Sequence, residues 1–131
     1  MTPKFRAWLT EDKLMPPVAG ITFFRGCMDV MMSPNKKVTK VNQVIKLMQS
    51  TGLKDKNGKE IFEGDIVKFS DCDDDAYVTP VVWDKNYACF GVSFSGKYPI
   101  SFDYLEEFYT ELKDIEVVGN IYENPEFLEG E

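Results

Sequence analysis

Histidine is absent from the 131-residue chain, and this absence excludes several kinds of active site. Histidine supplies the general base of the Ser-His-Asp triad and of the Cys-His dyad, and it is a frequent zinc ligand. The three cysteines, Cys27, Cys72 and Cys89, contain no Cys-x-x-Cys pair and predict no zinc site of their own. Chemistry that depends on an imidazole, or on a structural zinc, is therefore excluded.

Other motifs of catalysis and nucleotide binding are also missing. The glycines are isolated, and neither G-x-x-x-x-G-K-[ST] nor G-x-G-x-x-G occurs. Adjacent carboxylates such as Glu106 and Glu107 are expected on the surface of an acidic chain rather than across a catalytic cleft. A serine nucleophile with a lysine base stays open, although no S-x-x-K accompanied by its supporting motifs is present. We therefore predict no catalytic residue, no metal and no cofactor.

Long hydrophobic runs are lacking as well. No apolar stretch approaches the ~20 residues that a membrane-spanning helix needs. The opening Met-Thr-Pro-Lys is followed by mixed polar and apolar residues, so no signal peptide is predicted. We expect a protein of the bacterial cytoplasm, where thiols stay reduced, with free and mostly buried cysteines.

Positive charge is in deficit. The chain has 22 Asp and Glu residues against 15 Lys and Arg residues, and its formal net charge is −7. Proteins hold nucleic acid mainly by neutralising phosphates with Lys and Arg. The densest lysine groups, at 36–40 and 54–59, fall in predicted loops and turns. The charge therefore argues against sequence-independent binding to DNA or RNA.

Length and composition predict one globular domain. A chain of 131 residues with 44% hydrophobic and 14% aromatic residues can bury a core. Short strands and glycine-containing corners favour a mainly β (α+β) fold. We expect a small, strongly bent, barrel-like antiparallel sheet with an N-terminal β-hairpin layer and one or two short helices. Residues 1–43 would form the N-terminal layer and a variable loop, and residues 44–131 the barrel-like part.

Apolar alternation and turn signals predict the individual elements. Strands are expected over residues 4–8, 21–24, 61–62, 66–69, 77–83, 88–94 and 115–122. A helix is expected over 103–112 with Ser101 or Asp103 as N-cap, and a helical turn over 125–128. Pro80 should lie at a sheet edge or a bulge, because proline cannot donate to a ladder.

The segment Val38–Met48 is ambiguous between helix and strand. Its apolar residues have helical spacing, but many of them are β-branched and favour a strand. We favour a loop or short helix followed by a strand over Val44–Gln49.

The stretch Leu47–Phe69 carries the strongest turn signals. Asp55-Lys56-Asn57-Gly58 contains an Asn-Gly pair, in which both residues tolerate positive φ. Gly64 predicts a second corner before the next strand. These residues are typical of a folding framework and carry no catalytic pattern.

The acidic segment Asp71–Asp75 superficially resembles a calcium loop. The EF-hand pattern fails, because Ala76 stands where glycine is needed and Val82 where the bidentate glutamate belongs. We predict a solvated loop between two strands, and a weak cation site is the minor alternative.

Aromatic residues give the candidate binding surface. Trp8 is expected in the core of an amphipathic strand, and Met28, Met31 and Met32 are expected to fill gaps in the core. The hairpin predicted around residues 77–94 carries Trp83, Tyr87 and Phe90, which form the predicted interaction surface. The stretch Cys27–Val44 is a second place to look for a working surface.

Five segments carry a family resemblance. They are KFRAW at Lys4–Trp8, MQSTGLKDKNGKEIFEGDIV at Met48–Val67, the pair Val81–Trp83 and Phe90–Val92, and VVGNIYENPE at Val117–Glu126. In these segments the chain resembles the YopX family of phage and prophage proteins, most loosely between Cys27 and Val44. The resemblance implies a small, mainly β protein encoded by temperate phages of low-GC Gram-positive bacteria and by their prophages. It implies no activity and no site residue.

These observations predict a non-enzymatic phage accessory protein that binds a host or phage protein. One alternative is a small barrel that binds single-stranded nucleic acid by stacking bases on Trp83, Tyr87 and Phe90. An unrecognised enzyme that uses carboxylates and tyrosines is a third reading. An exposed sheet edge would also allow a homo-oligomer.

Overall fold

The chain divides into two compact units, Met1–Ser50 and Thr51–Glu131. A computed structural model describes residues 4–10, 13–25, 27–32, 36–38, 45–93, 99–111 and 114–128. Antiparallel strands dominate both units, which confirms the mainly β fold. That the two units fold as one domain stays a prediction.

The N-terminal unit is built from antiparallel strands. Its elements are β1 (Phe5–Leu9), β2 (Val18–Phe24), β3 (Cys27–Met32), β4 (Lys36–Val38) and the first residues of β5 (Ile45–Lys54). Strand β1 pairs with residues 45–49 of β5, and β2, β3 and β4 form a three-stranded sheet in that order. The strands predicted at 4–8 and 21–24 are thus confirmed, the second with an earlier start.

A small apolar cluster stabilises this unit. Ala7, Leu9 and Val30 are buried, and Val18 and Leu47 pack against them. Trp8 is also buried, as predicted for a core tryptophan.

Two expectations about residues 28–48 had different outcomes. Met31 is 43% exposed, so the prediction that the methionine cluster fills the core is wrong at this residue, and the side chains of Met28 and Met32 lie outside those described. The predicted strand over Val44–Gln49 is confirmed from Ile45 onward, because β5 begins there and pairs with β1. The loop or short helix expected before it lies outside the described residues, at 39–44.

The C-terminal unit is a five-stranded antiparallel sheet with one helix. Its elements after β5 are β6 (Glu60–Phe62), β7 (Asp65–Ser70), β8 (Ala76–Asp84), β9 (Cys89–Val92), β10 (Ile100–Ser101), α1 (Phe102–Phe108), β11 (Glu116–Asn120) and a 3₁₀ turn (Pro125–Leu128). The sheet order is β10-β9-β8-β7-β11, and β6 is hydrogen-bonded to β5. The sheet stays open over the described residues, without closing into a barrel.

The core of this unit lies between the sheet and α1. Its buried members come from five elements and from the residue before β11: Ile61, Val67, Phe69, Val81, Val92, Phe102, Leu105 and Ile115. The helix begins where predicted, because Ser101 Oγ accepts a hydrogen bond from the Tyr104 N–H at 3.2 Å. It ends at Phe108, earlier than the predicted residue 112.

The sequence predicted that Pro80 lies at a sheet edge or at a bulge, and the prediction of a sheet edge is wrong. It lies in β8, which has neighbours on both sides. Pro80 is the last residue of β8 paired with β7, and Val81 is the first paired with β9. The proline therefore stands where the pairing changes partner, and its carbonyl still accepts from the Ser93 N–H at 3.0 Å. The pairing of β11 with β7 shifts register between Val117 and Gly119, which marks a bulge there.

The predicted Asn-Gly turn is confirmed and has an unexpected centre. Gly58 and Gly64 both have positive φ, +80° and +88°. The buried carboxylate of Asp55 accepts from the N–H groups of Asn57 and Lys59 through Oδ1 and of Val117 through Oδ2, each at 2.9 Å. One side chain thus closes the turn and fastens it to β11.

Burial raises the pKa of Asp55, but the hydrogen bonds from the Val117, Lys59 and Asn57 N–H groups and the charge of Lys59 outweigh it. The net result is a pKa below the ordinary 3.8. Because the folded protein holds the carboxylate in its charged form, this contribution to stability is present above pH 3.8. It is lost as the pH falls through the lower pKa of the folded state.

We expect Asp55→Ala to lower the free energy of unfolding by roughly 2–3 kcal/mol at pH 7, because it leaves N–H donors near β11 without their acceptor. Urea unfolding followed by circular dichroism measures this change. The exposed Asp73→Ala is the matched control and should change stability by less than about 0.5 kcal/mol. The difference between wild type and Asp55→Ala should shrink between pH 5 and pH 2; a difference independent of pH would contradict the account of this carboxylate.

Candidate functional site

A pocket of about 440 Å³ lies in the C-terminal unit beside the hairpin of β8 and β9. Its lining is mostly aromatic and apolar: Asp84, Tyr87, Cys89, Pro99, Ile100, Ser101, Tyr104 and Tyr109. Concave sites with a few polar groups in an apolar lining are the usual places for ligands. This pocket is therefore the candidate functional site.

The hairpin forms one wall of the pocket. Strands β8 and β9 pair in the register Trp83↔Phe90 and Asp84↔Cys89, which confirms the hairpin predicted from the sequence. Asp84 starts the turn, since its Oδ1 accepts from the Asn86 N–H at 3.0 Å. The turn leaves Tyr87 80% exposed at its tip.

The three aromatic residues of the predicted surface do not act as one patch. Successive residues of a strand point to opposite faces, so the Trp83–Phe90 pair and the Asp84–Cys89 pair lie on different faces of the hairpin. The rings of Trp83 and Phe90 meet edge to face, with centroids 4.9 Å apart, and Phe90 packs against the core. Tyr87 lines the pocket instead. The structure thus brings Trp83 and Phe90 together and separates them from Tyr87.

The second wall comes from β10 and α1. Strand β10 pairs with β9 through Ile100↔Val92 and Ser101↔Gly91. Because Ser101 also caps α1, the helix starts directly beside the hairpin and places Tyr104 in its first turn. The rings of Tyr104 and Tyr109 lie 6.4 Å apart, and the edge contact between Tyr109 and Tyr77 has a centroid distance of 6.2 Å.

Of the eight described lining residues, only Tyr87 belongs to the surface that the sequence predicted, and Asp84, Cys89, Tyr104 and Tyr109 are among those that were missed. Tyr104 and Tyr109 fall within the helix predicted over 103–112. Strand β10 brings the helix to the hairpin. A strand of two residues has too little pattern to be recognised from the sequence. The useful signal was the Ser101 cap, which fixes where the helix begins.

The pocket is acidic on one side. Asp84 is 7% exposed, and no Lys or Arg is among the lining residues that the structure describes. The thiol of Cys89 has a raised pKa, first because of burial and then because of the negative charges of Asp84 and Asp103. A thiol held in its protonated form is a poor nucleophile, so the geometry suits binding better than covalent chemistry.

The acidic loop Asp71–Asp75 joins β7 and β8, as predicted. The carboxylate of Asp71 accepts from the N–H groups of Asp73 and Asp75 at 2.9 and 3.0 Å and from the Tyr77 hydroxyl at 2.9 Å. The hydrogen bond from the Tyr77 hydroxyl to Asp71 is the main cause that raises the pKa of Tyr77 to about 12. Within the described ranges, no group of three His, Cys, Asp or Glu residues is placed to hold a metal ion.

The thiols differ from the expected burial. Cys72 is exposed because it belongs to this polar loop, so the prediction of buried thiols is wrong there. Cys89 is half-buried, and the side chain of Cys27 lies outside those described. No helix in the described part of the chain is long and apolar enough to span a membrane.

Comparisons with known proteins agree with the resemblance seen in the sequence. The family model described as "YopX protein" matches residues 4–129. A crystal structure of protein EF1440 from Enterococcus faecalis is similar with a TM-score of 0.69 and 30% identity, over 98% of this chain and 99% of that one. The crystal structure of YopX from Bacillus subtilis is similar with a TM-score of 0.63 and 25% identity, over 96% and 98%. The comparison with curated proteins gives no match.

A substitution at Gly91 tests how the second wall is positioned. A Cβ at this residue would overlap the carbonyl oxygen of Ile100 in β10. We expect Gly91→Ala to lower the free energy of unfolding by about 1–3 kcal/mol, because backbone must shift to make room. Gly20→Ala is the control, since nothing lies within 4 Å of its added Cβ. Equal stability of the two variants in urea unfolding would show that β10 does not pack on Gly91 as described.

The cysteines give a second test. In a Cys27→Ser background, we expect Cys89 to react more slowly than Cys72 with a disulfide reagent at pH 7.5, because Cys89 is half-buried and its pKa is raised. Single-thiol variants, made with Cys72→Ser or Cys89→Ser, separate the two rates. The rate at Cys89 should still rise steeply between pH 8 and pH 9.5. Faster reaction at Cys89 than at Cys72 would contradict its assigned environment.

Proposed function

This chain belongs to the YopX family, and from that membership we propose that it is a phage or prophage accessory protein that binds a host or phage protein and catalyses no reaction. The observation that carries the proposal is the set of exposed aromatic rings on the hairpin and the pocket rim. Trp83, Tyr87 and Tyr104 are 47%, 80% and 49% exposed.

Large exposed aromatic rings favour a role in protein recognition. Tyrosine and tryptophan are enriched at interfaces and dominate their binding energy, because they bury much area with little loss of side-chain freedom. Here Trp83 stands on a paired strand, Tyr87 on the turn of the hairpin and Tyr104 on a capped helix. Rigid elements of this kind suit a preformed binding surface.

Two further observations support a protein partner over a nucleic acid. The net charge is −7, and the pocket lining, over the part of the chain that the structure describes, includes Asp84 but no Lys or Arg. Stacking of bases on Trp83 and Tyr87 would use the same exposed rings, yet single-strand binding also needs a positively charged groove. The absence of histidine supports the non-enzymatic part of the proposal.

Co-purification tests the proposal. We expect the affinity-tagged chain to recover a specific protein from nuclease-treated extracts of phage-infected host cells. Tyr87→Ala, at the pocket, should reduce its recovery by about tenfold, the effect of losing a strong aromatic contact. Quantitative mass spectrometry measures the recovery.

Leu14→Ala is the matched control, because Leu14 is 54% exposed and lies in the other unit. It should leave recovery unchanged. Recovery of no protein, or equal recovery by all variants, would contradict the proposal. Binding to single-stranded DNA that persists in physiological salt would favour the nucleic-acid alternative instead.

A further inference from the structure

We propose that the pocket binds one arginine side chain from a basic segment of the protein partner. The inference rests on the proposed function and adds the chemistry of the contact: the guanidinium would pair with Asp84 and stack on the tyrosines of the lining. A mostly buried carboxylate, three aromatic rings and the charge of the described lining residues support this contact.

Asp84 is a mostly buried residue whose carboxylate has one hydrogen-bond donor among the described residues. It is 93% buried, since its exposed fraction is 7%. Its Oδ1 accepts from the Asn86 N–H, and among the described residues Oδ2 has no hydrogen-bond donor. A buried charge is unfavourable unless hydrogen bonds or an opposite charge compensate it. Asp84 lines the pocket, so a cationic donor inside the pocket would supply what the protein does not.

The tyrosines supply the second part of a cation site. Tyr87, Tyr104 and Tyr109 line the pocket, and the last two rings stand 6.4 Å apart. The faces of aromatic rings attract cations, most strongly where water is partly excluded. Three tyrosines beside one carboxylate thus resemble, in chemical terms, an aromatic cage that recognises a cation.

The charge of the surroundings selects the same ligand. None of the described lining residues is Lys or Arg, and Asp103 adds a second negative charge that acts on Cys89 together with Asp84. Among these described residues an anionic ligand would meet carboxylates and no positive partner. Burial of a purely apolar side chain would leave Oδ2 of Asp84 unsatisfied.

Arginine fits better than lysine for a geometric reason. The guanidinium is planar, so it can lie on a tyrosine ring while its edge donates to a carboxylate. It is also more weakly hydrated than the ammonium of lysine and loses less on entering a partly closed pocket. The volume of about 440 Å³ leaves room for the stem of the side chain.

Titration with model peptides tests the inference. The probe is the capped pentapeptide Gly-Ser-Arg-Ser-Gly, and the comparison peptides carry citrulline or lysine in place of arginine. We expect the arginine peptide to shift amide resonances of residues 84–89 and 101–104 in ¹⁵N–¹H spectra in a saturable way. The citrulline peptide, which has the same shape without the charge, should cause no saturable shift.

Variants of the chain locate the contact. Asp84→Asn keeps an acceptor for the Asn86 N–H, so it should fold normally. It should lower the affinity for the arginine peptide by about tenfold. Asp73→Asn removes the same charge from the exposed acidic loop and should change the affinity by less than twofold. Tyr87→Ala, at an 80% exposed residue, should weaken binding without loss of stability. Thermal unfolding checks that each variant is folded.

Several results would overturn the inference. They are an equal effect of Asp84→Asn and Asp73→Asn, binding of the citrulline peptide, a lysine peptide that binds as tightly as the arginine peptide, or no saturable shift at all. If the partner protein needs Tyr87 but binds Asp84→Asn as well as wild type, this inference fails while the proposed function stands.

Discussion

The carboxylate of Asp55 is the contact on which the C-terminal unit depends. It closes the Asn-Gly turn after β5 and holds the N–H of Val117, 62 residues further along the chain. Beside it, the Lys56 N–H donates to the Ile115 carbonyl at 2.8 Å, and the Lys56 ammonium pairs with Glu116 at 2.9 Å. Strand β11 is thereby fixed at one edge of the sheet, and β7, β8, β9 and β10 follow in order to the other edge. The pocket lies at that other edge.

The pocket follows from how this sheet ends. Strand β8 passes from pairing with β7 to pairing with β9 at Pro80, so its last residues project as a hairpin. Strand β10 is only two residues long, but it packs closely on Gly91. It leads directly into α1, whose N-cap is Ser101. Tyrosines from the hairpin and the helix therefore face a common space. The buried Asp84 makes that space acidic, and a carboxylate beside tyrosine rings favours a cationic partner.

Features that depend on neighbouring residues could be predicted from the sequence. The Asn57-Gly58 turn, the hairpin before Cys89 and the Ser101 cap each follow from local backbone chemistry. Features that depend on distant pairing could not. The bond from Val117 to Asp55, the strand β10 and the meeting of Tyr87 with Tyr104 all require the sheet to be assembled first. The same reason explains why Trp83 and Tyr87, which are close in the sequence, lie on different faces of the hairpin.

The central claim is that an acidic aromatic pocket is the binding surface of this fold. Intermolecular contacts between the arginine pentapeptide and the tyrosine rings test it most directly. Isotope-filtered nuclear Overhauser spectra of the complex detect protons within about 5 Å of one another. The account predicts contacts from the arginine side-chain protons to the rings of Tyr87, Tyr104 and Tyr109. Contacts confined to the acidic loop at 71–75, or to residues of the N-terminal unit, would contradict it.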